Sequence, residues 1–392
     1  MAVEQATRTP TENAVVDAEP QSELGVSVII PTYNEVENIE KIVSRCLMAL
    51  EGHDSEILVV DDDSPDGTAR LARESFADNS DVRVIKRTED KGLAQSVTAG
   101  FRHASSESCA VIDADLQHPP EKLPALVDEL SDGAAVAIGS RHIEGGGIAN
   151  WPYHRKVVSK GATGLARLSI PSAKSVSDPM SGFFAVRSDV VEDVELDPKG
   201  YKILLEVLEK GSYETGSVAE VPYVFQDRQY GESKLTSSEY KNFVEHLMGL
   251  SFSAYGFDRI AEPDRLVRGT EFGFVGAMGA VVNTLVFGGM HLYGGMHYMV
   301  AGALAFIVAL NFNFLGNWFL TFNQPSEEIR SKYIRFNVVS VGGFIIYSLA
   351  LATAIDVLLI PALLANVLAI GGSFLFNFIG SEKFAFDIES AN

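Results

Sequence analysis

Two hydrophobic patterns divide the chain. From Gly25 to about residue 236, short apolar runs alternate with segments of helical period, whereas long apolar runs dominate the last third. The short runs predict buried strands at Val26–Ile30, Glu56–Asp61, Val82–Ile85, Cys109–Asp113 and Ala134–Ile138. Apolar strands that alternate with helices form a mostly parallel sheet covered on both faces. We therefore predict an α/β, Rossmann-like domain over residues 25–236.

The last third predicts an all-α membrane domain of four spans over residues 266–392. Each apolar run is close to the ~20 residues that a helix needs to cross the hydrocarbon core of a bilayer. The four runs are Phe272–Met290, Tyr298–Leu320, Phe336–Ile355 and Val357–Ile379. Within this region Asn313-Phe-Leu-Gly316 recurs as Asn377-Phe-Ile-Gly380, which suggests a duplicated helical hairpin in parallel orientation. A chance match is the alternative.

Lysine and arginine are distributed unequally around these four runs. They stand before the first run, between the second and third, and after the fourth, while the two other connections contain none. The positions are Arg265, Arg268, Arg330, Lys332, Arg335 and Lys383. By the positive-inside rule, we predict a multi-pass protein of the cell membrane with both termini and the 25–236 domain in the cytoplasm.

Two amphipathic segments precede the membrane domain. One, about Trp151–Leu168, is basic, and the other runs from Tyr240 to Phe257 inside a linker region of residues 237–265. Both segments could be surface helices that pack on the sheet, or interfacial helices that lie on the membrane. The membrane domain that follows them favours the second interpretation.

Composition adds constraints on partners and surroundings. The formal net charge of −21 argues against nucleic-acid binding, because phosphates would be repelled. An acidic face is also repelled by anionic lipid, unless molar salt screens it, so the charge favours a halophile over a merely acidic mesophilic protein. Residues 1–24 are rich in Glu, Thr, Pro and Gln and predict a disordered acidic tail rather than a signal peptide. Cys46 and Cys109 show no metal or disulfide spacing and are predicted to be buried.

Polar residues that suit metal and nucleotide binding follow three of the predicted strands. Asp113, Asp115 and Gln117 come directly after a buried strand, where their oxygens can hold Mg²⁺ or Mn²⁺ against a diphosphate. The alternative is that these carboxylates only cap the next helix. Pro31, Tyr33, Glu35, Asp61 and Asp62 follow the first two strands and are candidates for contacts with a base and a ribose. Because ligands bind beyond the carboxyl ends of parallel strands, we expect all of these groups at one edge of the sheet.

A series of motifs in order along the chain resembles the dolichyl-phosphate mannosyltransferases, which are family 2 inverting glycosyltransferases with a GT-A fold. The motifs are Pro31-Thr-Tyr-Asn-Glu35, Val60-Asp-Asp-Asp-Ser-Pro-Asp-Gly67, Lys91-Gly-Leu93, Asp113-Ala-Asp-Leu-Gln-His-Pro-Pro120, Gly139-Ser-Arg141, Asp178-Pro-Met-Ser-Gly-Phe-Phe184 and Gly231-Glu-Ser-Lys-Leu235. The four-span tail resembles a GtrA-like membrane module. The resemblance covers nearly everything after residue 24.

The resemblance implies a role for individual residues. Nucleotide contacts are implied for Pro31, Tyr33, Glu35, Val60 and Asp62. The metal and diphosphate site is implied for Asp113, Ala114, Asp115 and Gln117, and the grip on the acceptor phosphate and donor diphosphate for Arg141, Arg155, Ser159 and Arg228. Lys234 would lie on a loop that closes over the site, and Asp115, Arg141, Arg228 and Lys234 are the catalytic candidates. The alternative for each arginine is a solvated surface charge, which is weaker for Arg155 because Ser159 lies one helical turn away.

The activity that the resemblance implies is transfer of a sugar, foremost mannose from GDP-mannose, to dolichyl or polyprenyl phosphate with inversion. UDP-glucose or another nucleotide-sugar is the alternative donor. A processive polysaccharide synthase would carry a Gln-x-x-Arg-Trp motif, which neither Trp151 nor Trp318 provides. A flippase role for the membrane domain is the alternative of another class, and no charge pair within the apolar runs indicates one.

Overall fold

The computed structural model describes residues 25–89, 91–149, 151, 153–197, 202–214, 216–226, 237–323 and 328–387. The chain forms two compact units, Met1–Ala254 and Tyr255–Asn392. The division falls inside the region 237–265, which the sequence marks as an amphipathic helix and linker.

The first unit is built on a seven-stranded sheet in the order β3-β2-β1-β4-β7-β5-β8. The strands are β1 (Val26–Thr32), β2 (Ser55–Asp61), β3 (Val82–Lys86), β4 (Ser108–Val111), β5 (Val136–Ser140), β7 (Phe184–Arg187) and β8 (Val218–Pro222). Pairing is parallel except at β7, which runs antiparallel between β4 and β5. The mostly parallel sheet expected of a GT-A domain is therefore confirmed, and β7 and β8 are additions that the sequence pattern did not predict.

Helices cover both faces of this sheet. They are α1 (Ile39–Ala49), α2 (Thr68–Ser75), α3 (Leu93–His103), α4 (Leu123–Ser131), α6 (Ser188–Val191) and α7 (Ile203–Lys210). Successive strand residues point to opposite faces, so Val28 of β1 lies in the core with Ile42 of α1, and Ile29 lies in the other core with Val97 of α3. Burial of each such side chain contributes about 1.5–3 kcal/mol, and the two cores hold the carboxyl ends of the strands in place.

The two predicted amphipathic segments are helices of the first unit. They are α5 (Tyr153–Ser169) and α8 (Ser237–Ala254), and a small parallel pair, β6 (Gly147–Ile148) with β9 (Val224–Phe225), precedes α5. Phe243 and Leu247 of α8 are buried in a cluster with Ala166 of α5. On the outer side of α5, Val157, Val158, Leu165 and Leu168 are exposed. Cys46 and Cys109 are buried and free, as predicted.

The described part of the second unit contains four long helices, α9 (Pro263–Gly288), α10 (Tyr298–Gly316), α11 (Ile329–Ala352) and α12 (Ala362–Gly380). Three segments of the described residues are long and apolar enough to cross a membrane: Pro263–Tyr293, Val300–Thr321 and Ile329–Val357. The fourth helix begins at Ala362 rather than at the predicted Val357, because Pro361 has no backbone N–H and stands at the N-cap.

The predicted hairpin duplication is present in the second unit. Asn313 of α10 packs against Gly279 of α9, and Asn377 of α12, 64 residues later, packs in the same way against Gly343 of α11. Each helix continues into a short π-helical stretch at equivalent positions, Gly289–Tyr293, Asn317–Thr321, Thr353–Val357 and Ser381–Ala385. Phe322 and Phe386, also equivalent, stack with centroids 4.3 Å apart. The two hairpins are therefore repeats of one structural unit.

Candidate active site

The acidic and polar loops of the first unit lie at one edge of its sheet. The loops after β1, β2 and β4 follow the carboxyl ends of parallel neighbours. Each contains one non-glycine residue with left-handed backbone, namely Asn34 (φ 54°), Asp63 (φ 56°) and Leu116 (φ 61°). For a leucine this conformation is strained, and the burial of Leu116 in the core holds it there. Leu116 thereby turns the chain between Asp115 and Gln117.

Three side chains after β4 form a cluster suited to a metal ion. Ligand atoms of Asp113, Asp115 and His118 all lie within 4.8 Å of one another. Nδ1 of His118 is 3.6 Å from Oδ2 of Asp113, and among the described residues it has no hydrogen-bond partner although it is buried. Two carboxylates and a buried nitrogen without a partner fit Mn²⁺ or Mg²⁺, and the nitrogen suits Mn²⁺ better.

His118 is the member of this cluster that was not predicted as a ligand, although it lies within the Asp113–Pro120 motif. Its ring packs among Phe183, Tyr223 and Phe225, with centroids 5.3–5.6 Å away. Burial, together with the charges of Arg141 and Lys202, lowers the pKa of His118 to about 3. The ring is therefore neutral at physiological pH, which is the form that binds metal ions.

Gln117, the predicted third metal ligand, links the metal loop to β9. Its Nε2 donates to the carbonyl of Gln226 at 3.1 Å, and the backbone N–H of Gln226 donates to the carbonyl of Gln117 at 3.0 Å. The backbone N–H of Gln117 donates to Oδ1 of Asp115. The side-chain amide nitrogen is thus engaged, which leaves Oε1 as the atom of Gln117 that can coordinate a cation. Ala114, between the two aspartates, is buried.

A second charged cluster lies beside the first. Arg141, directly after β5, donates from Nε and Nη2 to the two carboxylate oxygens of Asp178 at 2.6 and 2.8 Å. Burial alone would raise the pKa of Asp178, but the hydrogen bonds and charge of Arg141 outweigh it and hold that pKa below its usual range. The same pairing outweighs burial at Arg141 and raises its pKa. The pairing therefore favours the charged form of both groups.

Lys202 completes this second cluster, and the sequence analysis missed it. Its Nζ donates to the carbonyl of Met180 at 2.8 Å. Burial and the neighbouring charge of Arg141 lower the pKa of Lys202 to about 8, while Asp113 and Asp178 act in the opposite direction. The negative charge of Asp113 favours the charged forms of both Lys202 and Arg141 by raising their pKa values. The metal cluster and the cationic cluster therefore belong to one site. No local sequence pattern marks Lys202 as a site residue, since it stands at the start of α7, far along the chain from the strands that carry the metal cluster.

The residues predicted to contact the nucleotide differ in solvent exposure and in their hydrogen bonds within the protein. Tyr33 is 44% exposed after β1, where its ring can stack on a base, whereas Pro31 and Val60 are buried in their strands. Oε2 of the buried Glu35 accepts a hydrogen bond from Asn38. Asp62 is buried, and it accepts a 2.6 Å bond from Arg87 and one from the backbone N–H of Gly92. Asp62 therefore joins the loop after β2 to the loop between β3 and α3, at the edge of the sheet where the nucleotide is predicted to bind.

Asp61, the other candidate for base or ribose contacts after β2, is bonded within its own loop and to β1. Its carboxylate accepts bonds from the backbone N–H and hydroxyl of Ser64 and from the hydroxyl of Thr32. Its side chain is fully buried.

The predicted acceptor residues lie on α5. Arg155 and Ser159 are both half-buried, whereas Val157 and Val158, which lie between them in the sequence, are exposed. The Arg155 guanidinium lies over the ring of Trp151, with Cζ 3.9 Å from the ring centroid. The remaining predicted residues, Arg228 and Lys234, lie outside the described residues, as does Gly231-Glu-Ser-Lys-Leu235.

Comparison with known proteins identifies both units. A family model described as Glycosyl transferase family 2 matches residues 27–219, and one described as GtrA/DPMS, transmembrane domain, matches residues 271–386. A dolichol-phosphate mannosyltransferase from Pyrococcus furiosus is 41% identical over 361 residues, which cover 90% of this chain and 97% of that protein. A polyprenol monophosphomannose synthase from Mycolicibacterium smegmatis is 41% identical over 218 residues, covering 54% and 81% of the two chains.

Among solved structures, mannosyl-3-phosphoglycerate synthase from Rubrobacter xylanophilus matches with a TM-score of 0.46 and 21% identity, over 57% of this chain and 73% of that one.

Proposed function

Since the chain belongs to the dolichol-phosphate mannosyltransferase family and is a membrane-bound glycosyltransferase, we propose that it transfers mannose from GDP-mannose to a dolichyl or polyprenyl phosphate with inversion. The observation that carries this proposal is the meeting of two clusters at the carboxyl edge of the sheet. Acidic and imidazole ligands at Asp113, Asp115 and His118 lie beside the half-buried cations Arg141 and Lys202. A reaction between two phosphate-bearing substrates needs both kinds of group.

The donor diphosphate is the group that the acidic cluster serves. Asp113 and Asp115, with His118 or Oε1 of Gln117, would hold Mg²⁺ or Mn²⁺, which when bound offsets charge on a departing diphosphate as a Lewis acid. Lys202, which is cationic below its pKa of about 8, adds a positive charge next to this position. Without these groups, the two carboxylates would repel the substrate.

The acceptor phosphate needs orientation rather than deprotonation. A phosphate monoester has its second pKa near ~6 and is largely dianionic at neutral pH, so no side chain has to act as a general base. A phosphate oxygen forms the new bond to the anomeric carbon, the bond from that carbon to the diphosphate oxygen breaks, and GDP leaves with the electron pair. Arg155, Ser159 and Arg141 would hold the two anions in line, a task that suits the planar guanidinium group.

The decisive experiment assays the purified full chain in detergent with dolichyl phosphate and one nucleotide-sugar at a time. We expect GDP-mannose to give a mannosyl lipid whose anomeric configuration is β by NMR, and EDTA to abolish its formation. Preferential use of UDP-glucose would contradict GDP-mannose as the donor. An α-linked product would contradict transfer with inversion. GDP-mannose hydrolysed at the same rate without lipid phosphate would reject the acceptor.

The second unit serves as the membrane anchor in this proposal, with the catalytic unit and both termini on the cytoplasmic side. The support is the distribution of Lys and Arg around the four helices. The structure adds two salt bridges that the sequence did not reveal, since Arg265 and Arg268 both contact Glu382 at 2.9 Å. All three residues lie near helix ends on the lysine- and arginine-rich side, so these salt bridges give no support to a transport path through the middle of the membrane.

A further inference from the structure

Two aromatic rings lie between the arginines Arg141 and Arg155. Cζ of Arg155 is 3.9 Å from the centroid of the Trp151 ring. Trp151 meets Phe225 edge to face, with centroids 5.5 Å apart, and Cζ of Arg141 is 5.5 Å from the Phe225 centroid. We call this series, Arg141–Phe225–Trp151–Arg155, the arginine–aromatic stack.

Strand pairing holds the backbone on both sides of Phe225 and close to Trp151 in the sequence. The parallel pair β6–β9 aligns Gly147–Ile148 with Val224–Phe225, and the backbone N–H of Ala149 donates to the carbonyl of Phe225 at 3.0 Å. Trp151 comes two residues after Ala149, just before α5 begins. The strand that carries Phe225 therefore holds the backbone at Ala149, two residues before Trp151 in the sequence.

The two arginines at the ends of the stack are held differently. Arg141 is fixed by its two bonds to the buried Asp178. Arg155 has no carboxylate partner among the described residues, and its guanidinium face is covered by the indole. Stacking uses the face of a guanidinium and leaves its edge N–H groups for an anion, whereas an ion pair would neutralise the charge.

We propose that Trp151 is a positioning residue for the lipid-phosphate acceptor, which holds the charged Arg155 at a fixed place relative to Arg141. This inference rests on the proposed function. An arginine that is already stacked has lost much of its side-chain freedom before the phosphate arrives, so binding costs less. Through Phe225, the stack also links Arg155, the proposed acceptor residue, to Arg141 beside the metal cluster. In-line transfer requires such a fixed relation between the groups that hold the two substrates.

The test measures equilibrium binding of a radiolabelled short-chain polyprenyl phosphate to the full chain in detergent. Trp151→Leu is expected to weaken binding about two- to thirtyfold, the range of a cation–π contact. Trp151→Phe keeps an aromatic face and is expected to restore most of the loss. The matched control is Arg167→Ala on the same helix, whose guanidinium donates to the carbonyl of Lys174. This control is expected to leave lipid-phosphate binding unchanged.

A double-mutant cycle shows whether Trp151 acts through Arg155. In an Arg155→Ala background, Trp151→Leu is expected to cause no further loss of lipid-phosphate binding, whereas additive losses would overturn the proposal. An equal loss of GDP-mannose binding in Trp151→Leu would also overturn it, because that result means general damage to the site. Sugar transfer is assayed separately, so a wild-type chain that binds polyprenyl phosphate but forms no mannosyl lipid contradicts the proposed function and not the role of Trp151.

Discussion

At the scale of single residues, Asp115 is the sharpest test of the metal cluster. It is nearly buried, and it accepts the Gln117 backbone N–H within its own loop. Asp115→Asn keeps the shape but removes a charge from the ligand set, so we expect turnover to fall on the order of a hundredfold or more. The measurement is initial rate against Mn²⁺ concentration, with circular dichroism to check folding. The control is Asp128→Asn on the exposed side of α4, and wild-type turnover of Asp115→Asn in chelator would remove the metal assignment.

Lys202 gives a second residue-scale prediction. Methionine at this position retains the apolar length of the side chain and removes the ammonium. We expect Lys202→Met to lower kcat about ten- to a hundredfold, because a charge-assisted interaction with the diphosphate is lost. The exposed Lys174→Met is the control. A variant with normal kcat and lowered thermal stability would show instead that Lys202 only supports the loop through the Met180 carbonyl.

The sequence predicted those site residues that follow strands in a local pattern. Asp113, Asp115 and Gln117 stand directly after a buried apolar run, so their place at the sheet edge follows from periodicity alone. Lys202 could not be found in this way, because only the packing of α7 on the sheet brings it to Asp178. Periodicity places Asp61 at the same edge, but it could not reveal that the Asp61 carboxylate accepts two hydrogen bonds from Ser64.

At the scale of elements, the strands that the sequence missed have a physical reason. β7 runs antiparallel between two parallel strands, and its apolar run from Phe183 to Val186 follows a loop rather than a helix. The alternation that reveals a βαβ unit is absent there. The start of α12 was also difficult to predict from hydropathy. The apolar run includes Leu358 and Leu359, but the helix begins only after Pro361.

The duplicated hairpins of the second unit predict matched effects of two substitutions. A Cβ at Gly279 would lie 1.9 Å from Oδ1 of Asn313, and one at Gly343 would lie 2.0 Å from Oδ1 of Asn377. We therefore expect Gly279→Ala and Gly343→Ala each to destabilise the unit by about 1–3 kcal/mol. The measurement is thermal unfolding in detergent.

The control for this pair is Gly276→Ala, because a Cβ there meets no atom within 4 Å. Alanine favours a helix over glycine by about 1 kcal/mol, so the control should be neutral or stabilising. If Gly279→Ala is harmful and Gly343→Ala is not, the two hairpins are not equivalent in packing energy, despite their shared geometry.

At the scale of the whole molecule, the first question is orientation in the membrane. Tyr293, at the end of the first membrane helix, is 91% exposed, and Glu328 is exposed before the third. A membrane-impermeant maleimide added to intact cells is expected to label Tyr293→Cys and not Glu328→Cys. Cys46 and Cys109 are buried, so background labelling should be low. The reverse pattern would put the catalytic unit outside the cell, away from nucleotide-sugars.

The net charge of −21 predicts how stability and activity depend on salt concentration. At 0.1 M ionic strength the Debye length is about 10 Å, so like charges on the catalytic unit repel one another and repel anionic lipid and substrate, whereas at 1 M it falls to about 3 Å. If the charge reflects a halophile, thermal stability and sugar transfer should both rise with KCl into the molar range. Sucrose at matched osmolality separates screening from general exclusion effects and should not reproduce the rise in transfer rate. An optimum of activity near 0.1 M KCl would reject the halophile interpretation, and the acidic surface would then need another explanation.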